Sequence, residues 1–226
     1  QWSALIEAKI GRNELTAEQV TKYAELAKAN GIDAVITISN EFVARADHSP
    51  VSISKTLLRK VDLFHWSWSW LATLCEILEY QEAVTDSEQG YLLRQLNHFL
   101  AHPATGVDRF TQMTASWKDV TQSVLNDEAL KKTAPEVEAV AASWVAEERD
   151  LCLHMSSHVG QEVSAKIERK LVEDPAARLK SLVESLVAQH TLSSVIRVPH
   201  CASDMDVCVD LARRTVAVSM SLKAPG

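Results

Sequence analysis

The chain has 226 residues, 46% of them hydrophobic, which is enough to bury the core of one large domain or two modest ones. Its formal net charge of −7 argues against a surface that attracts nucleic acid everywhere. Residues 1–60 carry eight basic and seven acidic side chains, so this segment is +1 and the acidity belongs to the remainder. The net charge therefore argues less strongly against contacts with nucleic acid in this segment than in the rest of the chain.

The first predicted element is a short strand over residues 4–10, which read ALIEAKI. Only Glu7 and Lys9 interrupt its apolar run, and residues two apart in a strand point to the same side. A carboxylate and an ammonium on a buried strand are costly unless they pair or bind something. The pair is our first candidate for a functional site. The alternative is a charge pair that protects an exposed edge strand from aggregation.

A helix is predicted next, because Thr16 suits an N-cap and Gln19 stands at the third helical position of a capping box. The helix is expected to end at Gly31, which tolerates the left-handed conformation. Residues 34–38, AVITI, form a β-branched run typical of a strand covered on both faces. Because a helical crossover normally connects parallel strands, the segment is predicted to be a parallel β-α-β unit.

Gln19 and Tyr23 lie four positions apart in QVTKY and so share a face of this helix. A strand with an ExK triplet, followed by a helix with QxxxY, resembles the PD-(D/E)XK nuclease superfamily, and most closely its RecB-type branch. The match covers about the first forty residues. The resemblance implies a restriction-endonuclease-like α/β core and metal-dependent hydrolysis of DNA phosphodiester bonds, with RNA as an alternative substrate. It does not distinguish an endonuclease from an exonuclease.

The resemblance also assigns roles to the residues of the motif. Glu7 and the backbone carbonyl of Ala8 would ligate Mg²⁺ or Mn²⁺. Lys9 would orient the attacking water and stabilise charge on the phosphate, while Gln19 and Tyr23 would line the site from the helix. One or two carboxylates with substrate phosphate suffice for Mg²⁺, which keeps several waters. The family pattern includes a further acidic ligand on a preceding strand, which we expect upstream of the first residue.

Each helix residue of the motif also has a purely structural explanation. Gln19 can serve only the capping box, and Tyr23 can cover the strand with its ring while its hydroxyl stays hydrated. Basic residues of the same segment are candidate phosphate contacts and equally well explained as solvated surface: Arg12, Lys22, Arg45, Lys55, Arg59 and Lys60. The second functional class is a catalytically inactive nuclease-like protein that binds or scaffolds partners through its helical region.

Tryptophans alternate with serines in FHWSWSWL, after a predicted strand over residues 57–66. Because residues 71–80 continue as an amphipathic helix, the strand is expected to give way to a helix near Ser67. A tryptophan cluster of this kind is more often core or interface than a platform for bases. We therefore assign residues 1–85 to the nuclease-like core, and we expect the tryptophans to pack between this core and the region that follows it.

The remainder is predicted as a helical region over residues 86–190 and a small β-rich element over 191–226. Three helices are expected in the helical region, over residues 87–102, 115–133 and 135–172. The third is long enough for a helical hairpin, through which the protein would recruit a partner or form a homodimer. Alternating residues near the end predict a small antiparallel sheet with strands over 194–198, 206–211 and 215–222.

Cysteine and histidine spacing adds little chemistry. Four cysteines without a CxxC spacing, and no visible signal peptide, favour a reducing, cytoplasmic location. No apolar run is long and charge-free enough to span a bilayer. Two histidine pairs share a helix face at metal-compatible spacing, His98 with His102 and His154 with His158. Without further ligands nearby in the sequence, exposed helical histidines are the better interpretation.

Overall fold

A computed structural model of the protein describes residues 2–11, 13–43, 48–107 and 113–222. In these ranges the protein is a mixed α/β chain, and it divides into two compact units, residues 1–109 and 110–226. The first unit contains a three-stranded parallel sheet and the second a four-stranded antiparallel sheet. Each sheet therefore belongs wholly to one unit.

The first unit alternates strands and helices, and its three strands lie in chain order across the sheet. Its described elements are β1 (Ala4–Ala8), α1 (Ala17–Ala29), β2 (Ala34–Ser39), α2 (Lys55–Leu58), β3 (Asp62–Ser67), α3 (Trp68–Tyr80) and α4 (Ser87–Ala101). A 3-10 turn over Pro103–Thr105 follows α4. Because β1 and β2 are parallel and connected by α1, the predicted β-α-β unit is confirmed.

Local signals explain the limits of α1. The Thr16 side chain accepts a hydrogen bond from the Gln19 amide at 3.2 Å, which satisfies one of the free N–H groups of the first turn. At the other end Asn30 is the C-cap, and Gly31 follows with a φ of 66°. All six residues of β2 are buried, as expected for a strand covered on both faces. The core of this unit lies between the sheet and α1.

One strand prediction of the first unit is wrong at its start. The strand expected over residues 57–66 begins only at Asp62, because the residues before it form the helical turn α2. The Ser54 carbonyl accepts from the amides of Leu57 and Leu58, and this turn places Leu57 in the core that α1 covers. The change from strand to helix at Ser67 is confirmed, since the Ser67 side chain caps α3 by accepting from the Trp70 amide.

The second unit packs its helices and its sheet around a separate hydrophobic core. Its described elements are α5 (Ser116–Leu125), α6 (Pro135–Val159), β4 (Ser164–Ala165), α7 (Arg169–Glu173), α8 (Pro175–Gln189), β5 (Thr191–Arg197), β6 (Met205–Asp210) and β7 (Thr215–Met220). The strands lie in the order β4-β5-β6-β7 and are antiparallel. The predicted antiparallel sheet is confirmed, and β4 is an additional strand.

Two helix predictions in this unit are too long. The helix expected over residues 115–133 ends at Leu125, because Asp127 has a φ of 56° and the Glu128 amide turns back to the Ser123 carbonyl at 2.9 Å. The helix expected over 135–172 ends at Val159, where Gly160 adopts the left-handed C-cap conformation with a φ of 66°. In the described residues, no helix has the length and hydropathy to cross a membrane.

Candidate functional site

The site begins with the two charges on β1. Glu7 lies on β1 and Lys9 follows its last residue, and Lys9 Nζ lies 2.8 Å from Glu7 Oε1. The Lys9 amide donates to the Ile38 carbonyl at 2.8 Å, so pairing with β2 continues as far as Lys9. The side chains of Glu7 and Lys9 are 16% and 19% exposed. The two charges are therefore mostly covered but still reach solvent.

Tyr23 completes this cluster from α1. Its hydroxyl is a donor to the Glu7 carboxylate. The hydrogen bond from Lys9 is the main cause that lowers the pKa of Glu7, with partial burial acting against it and the Tyr23 hydrogen bond assisting. The same carboxylate raises the pKa of Tyr23. Glu7 is thus held as an anion and Tyr23 as a neutral donor.

The sheet face beneath α1 changes from apolar to polar along its strands. Near the amino ends, three residues in register belong to the core: Leu5, Val35 and Leu63. Two positions further, Glu7 is in register with Thr37, and Thr37 with His65. Because residues two apart share a face, this polar row lies on the same side as the apolar one. The cluster of Glu7, Lys9 and Tyr23 therefore lies toward the carboxyl end of a parallel sheet, where open α/β sheets bind their ligands.

His65 is fixed in the middle of this polar row and only 1% exposed. Its Nε2 lies 3.0 Å from the Glu41 carbonyl oxygen, and its Nδ1 lies 2.9 Å from Thr37 Oγ1. Burial lowers the pKa of His65, so the ring is neutral. A carbonyl only accepts, so Nε2–H donates to Glu41. The single Thr37 hydroxyl proton is shared between Nδ1 and the Phe64 carbonyl oxygen, which lies 3.1 Å from Thr37 Oγ1. The sequence does not identify His65 as a site residue, because only the register of β3 against β2 places it in the row of Glu7 and Thr37.

The remaining predicted site residues are less closely involved. Gln19 is half-buried one turn before Tyr23 and serves the N-cap through its amide, so its catalytic role stays a prediction. Lys22 is exposed and pairs with Glu18 at 2.6 Å. Lys55 is exposed at the start of α2, and Arg59 and Lys60 are exposed after it. Arg12 and Arg45 lie outside the described residues.

The donor atoms near Glu7 can be compared with the needs of a divalent cation. The Lys9 amide points toward β2, so the carbonyl of Ala8 points toward the opposite edge of β1. Glu7 and Ala8 thus offer one carboxylate and one carbonyl oxygen. In the part of the chain that the structure describes, no three His, Cys, Asp or Glu side chains gather around a common point. These donors fit Mg²⁺ only as a partial site that substrate phosphate and water complete.

The fold and the cluster together define a mixed α/β protein with a carboxylate, an ammonium and a phenol toward the carboxyl end of a parallel sheet. Comparison with known proteins finds no matching family model, no similar curated protein and no similar solved structure. The geometry of this cluster and the chemistry of its side chains therefore carry the functional argument.

Proposed function

We propose that the protein is a metal-dependent nuclease of the PD-(D/E)XK type that hydrolyses DNA phosphodiester bonds. The observation that carries this proposal is the convergence of Glu7, Lys9 and Tyr23 on the polar part of a parallel sheet. Three residues of the ExK and QxxxY patterns come from two different elements and still meet. A chance occurrence of the two short motifs would not require their side chains to touch.

Each of these side chains has a definite task in such a reaction. A bound metal would be held by Glu7 and the Ala8 carbonyl, and would lower the pKa of a water ligand while neutralising phosphate charge. Glu7 is kept ionised by Lys9 and Tyr23, so it offers a negative oxygen at neutral pH. Lys9 places a positive charge where charge develops on the phosphate. Tyr23 would orient the Glu7 carboxylate through its hydroxyl, which is a positioning role.

The arrangement around β1 supports a restriction-endonuclease-like core. A strand with the ExK triplet, a helix with QxxxY and a parallel neighbouring strand follow one another in the order that the family has. The further acidic ligand on a preceding strand stays a prediction. Gln19 is proposed to line the site one turn from Tyr23, and Lys22 and Lys55 to contact the DNA backbone.

Cleavage of labelled DNA with Mg²⁺ or Mn²⁺, and with chelator as a blank, tests the proposal. Glu7→Gln keeps the shape of the side chain but removes its charge, so we expect cleavage to fall by about 100-fold or more. Glu18→Gln is the matched control, because Glu18 also pairs with a lysine but is exposed on α1. Equal activity of the Glu7→Gln protein and the wild type would remove the basis of the proposal.

One observation favours the second candidate, an inactive nuclease-like protein that acts through its helices. Lys9 and Tyr23 already engage the carboxylate of Glu7, which is the arrangement of a structural ion pair as well. This alternative predicts no cleavage by the wild type with either metal. It also predicts a homodimer or a stable protein complex that depends on the second unit, which sedimentation of the full chain would detect.

A further inference from the structure

The second unit carries a histidine pair on α6 that the proposed nuclease does not use. His154 and His158 are four positions apart, so both side chains leave the same face of the helix. Both are exposed, and their ring centroids lie 4.6 Å apart. Two ligand nitrogens of a tetrahedral Zn²⁺ lie about 3.3 Å apart, which rings at this separation can reach with one nitrogen each. The pair therefore offers two imidazole ligands at one point of the surface, at a spacing that zinc-binding helices use.

One hydrogen bond sets which nitrogen of His158 can bind a metal. Its Nδ1 lies 2.9 Å from the His154 carbonyl oxygen, and a carbonyl only accepts, so Nδ1–H is the donor. In the neutral ring the lone pair is then on Nε2, and a metal-binding histidine commonly donates its other N–H in this way. The helix backbone therefore holds the His158 ring in the tautomer that binds a metal through Nε2.

The position of the pair on α6 favours a cation. His158 lies in the last turn of this 25-residue helix, which ends at Val159 and is followed by the C-cap Gly160. The last carbonyl groups of a helix have no partners within it and give this end a partial negative charge. A metal ion bound at His158 thus lies where a positive charge is stabilised.

The other histidine pair with the same spacing, His98 and His102, has a different geometry. His102 is the C-cap of α4 with a φ of −78° and a ψ of 129°, so its backbone has left the helical conformation that His98 keeps. Its Nδ1 already accepts a hydrogen bond from the Ala104 amide at 3.1 Å. The spacing in the sequence does not separate the two pairs, but the structure does. Of the two, His154 and His158 are the pair that stays on one helical face.

The number of ligands indicates what completes the site. Structural Zn²⁺ sites almost always have four protein ligands in a tetrahedral arrangement. In the part of the chain that the structure describes, no group of three His, Cys, Asp or Glu side chains is placed to hold a metal ion, so one chain supplies two ligands. Imidazole suits Zn²⁺, whereas Mg²⁺ prefers oxygen ligands. Two copies related by a twofold axis, the commonest symmetry of oligomers, supply four imidazoles.

We propose that His154 and His158 form one half of a zinc site, and that the same pair of a second copy completes it. Zinc then connects two copies of the chain through α6. The inference does not depend on the proposed nuclease function, because it uses no residue of β1 or α1. Both histidines are at the surface, so either one can be replaced without opening the core.

Sedimentation velocity of the full chain without a histidine tag tests the proposal, with half an equivalent of Zn²⁺, with Mg²⁺ and with chelator. The wild type is expected to be a dimer with Zn²⁺ and a monomer in the other two conditions. His158→Ala should weaken the zinc-dependent dimer by about 100-fold, because the loss of a group that only supports a metal ligand already costs about 10- to 100-fold. Thermal unfolding without metal checks that the variant is folded.

Two control variants keep the pair intact. His98→Ala removes a histidine from the other pair and should form the zinc-dependent dimer as the wild type does. Cys201→Ser removes an exposed thiol, which is also a zinc ligand, and should likewise leave the dimer unchanged. Equilibrium dialysis against Zn²⁺ measures the metal bound per chain, and we expect one zinc for two chains.

Each of the other outcomes overturns the proposal. The same mass with zinc and with chelator would show that the metal does not connect two copies. Zinc bound by a monomer would show that the pair needs no second copy. A zinc-dependent dimer that survives in His158→Ala, or that is lost equally in His98→Ala or Cys201→Ser, would place the metal elsewhere.

Discussion

Two largely buried ion pairs, one in each unit, differ in what surrounds them. Glu148 and Arg178 lie 2.5 Å apart in the second unit, with side chains 6% and 10% exposed. Ser194 donates to the second oxygen of this Glu148 carboxylate, so helices α6 and α8 and strand β5 are connected through one anion. Glu7 and Lys9 are more exposed and lie where β1 ends. An ion pair that is closed to water usually has a structural role. An ion pair that solvent reaches at the end of a strand can exchange one of its partners for a ligand.

The comparison therefore predicts opposite consequences of substitution. Breaking the Glu148–Arg178 pair leaves a charge that water cannot reach, so the free energy of unfolding decreases. Breaking the accessible pair leaves charges that water can solvate, so stability changes little and activity changes greatly.

Arg178→Ala is expected to lower the free energy of unfolding by about 3 to 5 kcal/mol, because it leaves Glu148 buried without its counter-ion. Urea unfolding followed by circular dichroism measures this loss. Arg169→Ala is the control, since Arg169 is 92% exposed and pairs with Glu173 within one helix. A loss below about 1 kcal/mol for Arg178→Ala would mean that water reaches the Glu148–Arg178 pair.

Tyr23→Phe is expected to lower the free energy of unfolding only slightly, because Tyr23 is accessible to solvent and the Glu7 carboxylate still pairs with Lys9. The pKa of Glu7 should rise, since the Tyr23 hydrogen bond helps to lower it. The acid limb of the pH–rate profile should then move to higher pH. An unchanged profile in this variant would show that Tyr23 does not act on Glu7.

The lowered pKa of Glu7 makes a small contribution to stability that depends on pH. Because the folded pKa lies below the ordinary value of 4.5, this contribution is present above pH 4.5 and is lost as the pH falls through the folded value. The difference in unfolding free energy between wild type and Glu7→Gln should therefore shrink below pH 4.5. Unfolding curves at a series of acid pH values measure it, and a difference that grows in acid would contradict the assignment.

Thiol labelling measures how accessible the core of the second unit is to solvent. Burial raises the pKa of Cys152 to about 11, and this thiol is 1% exposed on the same helix as Glu148. Cys201 is exposed. A thiol reagent at neutral pH should label Cys201 in the native protein and Cys152 only after unfolding. Rapid labelling of Cys152 in the native state would show that water enters this core.

Sequence reasoning was reliable where a local signal decides the structure. Thr16, Gly31 and Ser67 end or begin elements through their own side chains or backbone, and the structure confirms each. The ends of α5 and α6 were missed, although Gly160 is a recognisable stop signal. The apolar pattern continues past Gly160, so the helix predicted from it is too long.

Features that depend on distant contacts could not be predicted in the same way. His65 enters the polar row only through the register of β2 and β3, which short patterns do not specify. Arg178 and Glu148 are separated by 30 residues and by the turn at Gly160, which the apolar pattern does not predict. The convergence of Glu7, Lys9 and Tyr23 was predicted only because the spacing resembles a known family.

Cleavage of labelled DNA with Mg²⁺ by the wild type, Lys9→Ala and Lys132→Ala tests the central claim most directly. Lys9→Ala is expected to lose about 100-fold or more of the activity and only about 1 kcal/mol of stability, because its charge acts on the phosphate. Lys132→Ala, which breaks an exposed pair with Glu184 in the second unit, should stay within about twofold of the wild type. Folded Lys9→Ala protein that cleaves as fast as the wild type would contradict the account.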